Sequence, residues 1–264
     1  MNRYGYEEAF SAEFYDAFYS ERLTPDVGFW VEAAMQAGGR TLELASGTGR
    51  VLLPIARAGF EITGIDLSPH MMRVCREKLA KEPQDVQRRV RLVQADMTGF
   101  GTGEAYALAI IPARSFQILI DPKDQERCLR SIAAHLRPCG MLIIDVFHPY
   151  LPRLFDPKYL SETAERVDVS LADGRTLKVT SRNAAFHREA QYNDIEIIYY
   201  VHHPDGREER LVQSFPFHYF FRHEMEHLLR LCGFKVLDLY GNFDRSVFKS
   251  ESPEMIFVAE KASQ

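Results

Sequence analysis

The stretch from Thr41 to Arg50 reads T-L-E-L-A-S-G-T-G-R, and I-T-G-I-D-L-S follows from Ile62 to Ser68. An apolar run ends at Ala45, a glycine turn follows, and an apolar helix is expected to begin near Arg50. Gly47 and Gly49 let a ligand approach the backbone where a Cβ would collide. Asp66 lies 17 residues beyond Gly49, at the end of the next apolar run, where a carboxylate can accept both hydroxyls of a ribose. Each half has a plain structural explanation: glycines connect a strand to a helix, and Asp66 caps the helix after it. Together, with Glu43 leading the turn, they point to nucleotide binding. The dinucleotide pattern G-x-G-x-x-G is incomplete, because Val51 and Leu52 follow Gly49 and Arg50 where a third glycine would stand.

A second pattern competes. His223 to His227 reads H-E-M-E-H, the H-E-x-x-H spacing that sets His223 and His227 on one helical face for zinc, with Glu224 as the base of a hydrolase. The helix looks short, however, and Met225, Leu228, Leu229 and Cys232 form its apolar stripe. The two histidines then fall on the opposite, wet face, and the expectation is surface histidines and no metal. Cys75, Cys128, Cys139 and Cys232 are widely spaced without a CxxC pair, which suggests neither a disulfide framework nor a thiolate zinc site.

The elements that must position these groups follow from the periodicity. Residues 1–37 read as two aromatic-rich helices. From 40 to 147, the apolar runs Thr41–Ala45, Glu61–Ile65, Val90–Ala95, Ala107–Pro112 and Met141–Phe147 alternate with amphipathic stretches. Leu129, Ile132, Ala133 and Leu136 form the stripe of a helix laid on a sheet. This alternation implies parallel strands with right-handed crossovers. From about 162 to 221 the helical stripe disappears and β-branched and aromatic residues are dense. Asp173-Gly174 and Asp205-Gly206 are hairpin signals there. A four-stranded antiparallel meander is expected after the fifth strand, then a helix from His223 to Gly233 and two strands, Lys235–Tyr240 and Glu254–Glu260.

The run E-L-A-S-G-T-G-R resembles the first motif of class I S-adenosylmethionine-dependent methyltransferases, with Ala45 in place of the usual first glycine. G-I-D-L-S-P-H-M-M, V-Q-A-D-M (Val93–Met97), L-R-P-C-G-M-L (Leu136–Leu142) and the closing G-F-K-V…E-M-I-F-V-A-E-K continue the likeness. The resemblance implies an α/β fold: a Rossmann-like, seven-stranded, mostly parallel sheet with the meander inserted as a lid. It implies three regions, a donor-binding core with N-terminal helices (1–150), the lid (151–221) and a C-terminal helix and hairpin completing the core (222–264). It implies S-adenosyl-L-methionine as cofactor, with Glu43, Ala45, Gly47 and Gly49 in the glycine turn. Asp66 and Leu67 would lie at the ribose, Met71, Asp96 and Met97 around the adenine, and Pro112 after the fourth strand. An N-terminal tyrosine, Tyr15 or Tyr19, would reach over the sulfonium. The inserted sheet resembles that of small-molecule N-methyltransferases, so an amine acceptor leads and a hydroxyl follows. One departure is Tyr106-Ala107, where many members open the fourth strand with an acidic residue; a donor-binding protein without catalysis is the reading this leaves open.

Methyl transfer needs alignment, exclusion of water and, for an ammonium, loss of a proton. His148, directly after the fifth strand, is the first candidate base, followed by His218 and Tyr219 where the meander returns. Arg114, Ser115, His148, Tyr219 and Arg222 are candidates to orient the acceptor. The alternating Phe215, Phe217, Tyr219 and Phe221 fit the core face of a sheet.

Composition narrows the partners. In 264 residues, 46% are hydrophobic and 26% charged, with a net charge of −5, the balance of a folded globular chain. A pI near 6.0 offers no basic field for nucleic acid. No apolar run approaches a membrane span and the first residues show no apolar leader. A cytoplasmic monomer or homodimer acting on a small molecule is expected.

Overall fold

The computed structural model describes residues 8–20 and 24–262; residues 1–7 and 21–23, part of the expected N-terminal helical region, lie outside the described residues. Two helices, α1 (Ala9–Ser20) and α2 (Thr24–Ala37), precede the first strand. The core then alternates β1 (Thr41–Leu44), α3 (Leu52–Arg57), β2 (Ile62–Asp66), α4 (Pro69–Leu79), α5 (Gln84–Gln87), β3 (Val90–Gln94), β4 (Tyr106–Ile111), α6 (Pro122–His135) and β5 (Leu136–Phe147). A short helix, α7 (Leu151–Phe155), leads to β6 (Thr163–Ser170), β7 (Thr176–His187), β8 (Tyr192–His202) and β9 (Glu208–His218). Finally come α8 (Arg222–Leu231), β10 (Phe234–Tyr240) and β11 (Glu254–Lys261).

Seven strands form one sheet in the order β10-β11-β5-β4-β1-β2-β3, in which β11 alone runs antiparallel to its neighbours. The central strands β1 and β4 are buried along their whole length, because helices cover both faces. On one face Leu44, Tyr106, Ile111 and Ile144 pack with α6 and α8 through Leu129, Ile132 and Leu229. On the other, Leu52, Ile55, Ile110 and Ile143 pack with Trp30 and Ala34 of α2. Helix starts follow local chemistry. Ser68 accepts the Met71 amide at the head of α4, Asp121 accepts the Lys123 amide at the head of α6, and a proline occupies each first turn.

Strand ends agree with the sequence reading to about a residue, with one instructive exception. Residues 136–140, left ahead of the fifth strand by its expected start at Met141, belong to β5 and form a bulge within it. Pairing with β4 jumps from Tyr106–Leu136 to Leu108–Met141. Pro138 has no N–H for the ladder, and Cys139 adopts φ +56°, so the extra residues bow outward before pairing resumes.

The second sheet is an antiparallel meander in the order β6-β7-β8-β9. Both Asp-Gly pairs turn hairpins, by five-residue loops in place of the tight two-residue form. The Gly174 amide donates to the Leu171 carbonyl and the Gly206 amide to the His203 carbonyl, with both glycines at positive φ. Its apolar face is covered by α1, whose Phe14 and Phe18 pack with Leu177, Val179, Tyr199 and Val201.

Arg50, at the end of the glycine turn, makes a two-armed ion pair with Asp26 of α2 at 2.6 and 2.8 Å, and the Trp30 indole donates to the same carboxylate at 3.1 Å. Both partners are almost wholly withdrawn from water. Breaking a buried pair by removing one member strands the other charge, at a cost of about 3 to 5 kcal/mol. Arg50→Met is therefore expected to destabilise the protein by about 3 kcal/mol. Urea unfolding followed by the fluorescence of Trp30, the sole tryptophan, measures this directly; a loss under 1 kcal/mol would contradict the assignment.

Candidate active site

The carboxyl ends of β1 to β4 open on one side of the sheet into a cavity of about 470 Å³. It lies where strand order reverses between β1 and β4, the crevice that open parallel sheets use for ligands. Ala45 and Gly47 follow β1, Asp66 and Leu67 end β2, Ala95 to Met97 follow β3, and Ala113 to Ser115 follow β4. Met71 closes the side toward α4. Tyr15 and Tyr19 descend from α1, with ring centres 4.4 Å apart, and Phe215 and Phe217 come from β9.

Asp66 is the hub of the side of the cavity formed by the glycine turn and the end of β2. Its carboxylate accepts the Gly47 amide at 2.7 Å and the Ser68 amide at 2.8 Å, tying the glycine turn to the end of β2. Lone-pair capacity remains on the carboxylate for a hydroxyl. Burial pushes the Asp66 carboxyl up to about 6, although three backbone hydrogen bonds pull the other way. Gly47 sits at φ +53°, and a Cβ built there would meet no protein atom nearer than 4.0 Å. The space beside it is thus kept free on the cavity wall. Gly49, at φ +81°, is needed for packing instead: a Cβ there would stand 2.8 Å from the Cys75 sulfur. Asp96 holds the Thr98 amide with one oxygen at 2.8 Å.

Non-glycine residues in left-handed backbone gather here. Ala45, Ala113 and Arg114 all have φ between +53° and +60° and all line the cavity. Asp145 of β5 accepts the Arg114 amide at 3.0 Å, and the Arg114 guanidinium forms a two-armed pair with Glu254 of β11. Two buried acids therefore hold the turn after β4 in its strained form. Burial, reinforced by the neighbouring Glu254, raises the Asp145 carboxyl to about 8, against the pull of Arg114. Glu43, only 2% exposed and with one oxygen unpartnered, is likewise driven far above the usual carboxylate range by burial, against the pull of Arg50.

Of the residues singled out from sequence, Tyr15, Tyr19, Ala45, Gly47, Asp66, Leu67, Met71, Asp96, Met97, Arg114 and Ser115 meet at the cavity. Glu43, Gly49 and Pro112 stand behind its wall. His148, His218, Tyr219 and Arg222 do not line it. The His148 ring nitrogen Nδ1 faces the Ser252 carbonyl at 2.8 Å, and the ring packs edge-on against Phe248. His218 is buried beside Phe220, 3.5 Å from Glu224. Tyr219 turns away to Phe155, and Arg222 lies on the surface paired with Glu226. The position of His148 after β5 was right, but the loop Lys249–Ser252 takes its side chain, and the linear sequence gives no sign of that. Conversely, Phe215 and Phe217 serve both as the sheet's packing face and as cavity wall, and Ile118, Ser68 and Ala113 join them without any sequence signal of their own.

The H-E-x-x-H pattern has another explanation. His223 is 78% exposed and faces Glu226, while Glu224 points back to accept the Phe221 amide at the head of α8 and the Gln191 side chain. Burial alone would raise the Glu224 carboxyl, but the hydrogen bonds from His218, Phe221 and Gln191 hold it below its ordinary value. Among the described residues no cluster of three metal-ligating side chains forms.

Residues 41–140 match the family model described as a methyltransferase domain. The Bacillus subtilis protein YqeM, assigned as a methyltransferase, is 27% identical over 95% of this chain and 96% of its own. The cypemycin N-terminal methyltransferase of a Streptomyces species is 24% identical over 97% of both chains. CalS10 from Micromonospora echinaspora, an amino pentose methyltransferase solved with S-adenosylmethionine bound, superposes with a TM-score of 0.72 at 20% identity, over 95% of this chain and 97% of that one. This strand order, this glycine turn and the methyltransferase domain matched at residues 41–140 support a class I S-adenosylmethionine-dependent methyltransferase. It is an enzyme with S-adenosylmethionine as donor, and neither the zinc hydrolase nor the inactive donor-binding alternative is supported.

Asp145 holds a proton in the fold up to about pH 8, whereas in the unfolded chain it loses it near 3.8. The native state therefore binds more protons between these values, and this residue's contribution to stability falls as pH rises through them. Asp145→Asn keeps an acceptor for the Arg114 amide without the charge. Its stability relative to the parent protein is expected to improve from pH 5 to pH 8 in urea unfolding. An unchanged difference at the two pH values would refute the buried, protonated acid.

Proposed function

We propose that the enzyme transfers a methyl group to the nitrogen of a small soluble amine, with the donor lying along the carboxyl ends of β1 to β3. The observation that carries the placement is the Asp66 carboxylate, preset by two amides beside the free space at Gly47. In this reading Asp66 takes the ribose hydroxyls, Leu67 and Met71 flank the sugar and base, and Asp96 with the Met97 amide meets the adenine. Ala45 and Gly47 face the methionyl part, with Glu43, Gly49 and Pro112 supporting the wall from behind. When bound, S-adenosylmethionine supplies an electrophilic methyl on a sulfonium.

The remaining work falls to the chain. Tyr15 and Tyr19 cover the cavity and exclude water, and burial raises the Tyr15 phenol so that it stays neutral. Arg114, Ser115, Ile118, Phe215 and Phe217 form the acceptor side. Among the described residues, the lining on that side includes no imidazole and no carboxylate, so alignment dominates and the amine sheds its proton to solvent before it is enclosed. The amine is favoured over a hydroxyl on this ground, since a hydroxyl would need a base in place. Two relatives named for work on an amino terminus and an amino sugar support the same choice. A cavity of this size suits a small molecule, and a net charge of −5 gives no track for nucleic acid. No described helix is long and apolar enough to cross a membrane, and a cytoplasmic monomer or homodimer fits this role.

Calorimetric titration with S-adenosylhomocysteine tests the donor site. Asp66→Ala removes a charged acceptor of two hydrogen bonds and is expected to weaken binding about a hundredfold. Because the ribose hydroxyls donate to the ionised carboxylate, affinity of the parent protein should fall as pH drops below about 6. Unchanged affinity in the variant, or a flat profile between pH 7 and 5, would overturn the placement. A screen of amines and alcohols for methyl transfer tests the acceptor class: turnover confined to alcohols would overturn it.

A further inference from the structure

Helix α1 carries three kinds of residue, each turned to a different neighbour. Phe14 and Phe18 are buried against the second sheet, Tyr15 and Tyr19 line the cavity, and Asp16 reaches the core. The attachment to the second sheet is broad. Beyond the phenylalanine cluster, the Arg175 guanidinium, from the β6–β7 hairpin, pairs with Glu13 and lies 5.4 Å from the Phe14 ring. A polar attachment to the core runs through one carboxylate, that of Asp16. Asp16 Oδ1 accepts the Thr48 hydroxyl at 2.6 Å, and Asp16 Oδ2 accepts the Lys78 ammonium at 2.8 Å.

Both partners matter by their position. Thr48 is fully buried between Gly47 and Gly49, inside the turn whose Gly47 amide is held by Asp66. Lys78 sits in the last turn of α4, the helix whose first turn supplies Met71 to the cavity. A hydroxyl-to-carboxylate hydrogen bond is short, directional and stronger than a neutral one. The Lys78 pair is part-exposed and adds less. One side chain thus joins the helix bearing the cavity tyrosines to the glycine turn and to the helix after β2.

We propose that Asp16 is a latch: a positioning residue that fastens α1 over the donor cavity through Thr48 and Lys78 and so sets how long the donor stays bound. It does not touch the reacting atoms. Its effect passes through Tyr15, directly before it on α1, and Tyr19, one turn further on. With the latch released, α1 stays packed on the second sheet and separates from the turn, and a bound donor escapes faster. The proposal rests on the donor placement given above, but its second arm does not.

Stopped-flow dissociation of S-adenosylhomocysteine and amide hydrogen exchange of residues 9–20 test it together on the intact protein. Asp16→Ala should speed dissociation at least tenfold, with a smaller effect on association. Thr48→Val, which keeps the side-chain shape, should do the same, and the double variant should be no faster than the faster single. Asp16→Asn retains an acceptor for the Thr48 hydroxyl and should fall between. Exchange across residues 9–20 should quicken in Asp16→Ala whether or not ligand is present. Dissociation rates within twofold of the parent, or effects of the two substitutions that simply multiply, would overturn the latch. If the parent protein bound no S-adenosylhomocysteine, the donor placement would fail, and unchanged exchange in Asp16→Ala would still overturn the latch on its own.

Discussion

Two backbone amides, from Gly47 and Ser68, converge on the Asp66 carboxylate, and much of the molecule is arranged to keep them there. The first comes from a turn that exists only because the backbone adopts left-handed geometry at Ala45, Gly47 and Gly49. The second comes from the residue that caps α4. Neither amide could reach the same carboxylate unless β1 and β2 ran parallel, side by side and in the observed register, with Leu44 opposite Ile65. A parallel pair in turn needs a helical crossover between its strands and cover on both faces: α3 is the crossover, α2 and α3 cover one face of the sheet, and α6 and α8 cover the other. The hydrophobic core and the polar site are thus one constraint seen at two depths.

Beneath the cavity the charges are unevenly matched. Asp26, Glu43, Asp145 and Glu254 are all buried, and two guanidiniums, Arg50 and Arg114, stand among them. Asp26 and Glu254 take those two cations in two-armed pairs. Glu43 and Asp145 are left with unpartnered oxygens and raised affinities for protons. A protonated acid spares the desolvation cost of a lone buried anion while leaving a dipole and a latent negative charge under the floor. Such a floor suits a ligand carrying positive charge and would repel an anionic one once the acids ionise.

The sheet was legible in sequence because its strands are short apolar runs broken by amphipathic helices, and the meander because its hairpins carry Asp-Gly. The convergence of Gly47, Asp66 and Asp96 on one cavity was legible too, since these residues sit at fixed offsets from strand ends: Asp66 closes β2, and Asp96 follows β3. The wall supplied by β9 was not. Phe215 and Phe217 belong to a strand more than a hundred residues from Asp66, and period-two alternation marks a buried face without saying which side of the molecule will bury it. His148 shows the same limit from the other direction. Its place after β5 follows from the pattern, but the direction of its ring is set by the Ser252 carbonyl, 104 residues away. The Asp16–Thr48 bond was invisible for the same reason, as both residues look like ordinary helix and loop polar positions.

One buried glutamine joins the two sheets at a single point. The Gln117 amide nitrogen donates to the His218 carbonyl at 2.6 Å, where β9 ends, and its oxygen accepts the Phe147 amide at 2.9 Å, where β5 ends. The chain therefore departs from the core and comes back to it at the two ends of one side chain. Seen from the core, everything between is a closed excursion, and lengthening or shortening such an excursion changes the closure entropy only slowly. The β6–β9 segment can then diverge in length and sequence as an exchangeable module. Its last strand would still deliver a new pair of residues to the positions of Phe215 and Phe217, while the Asp66 end of the cavity stayed as it was.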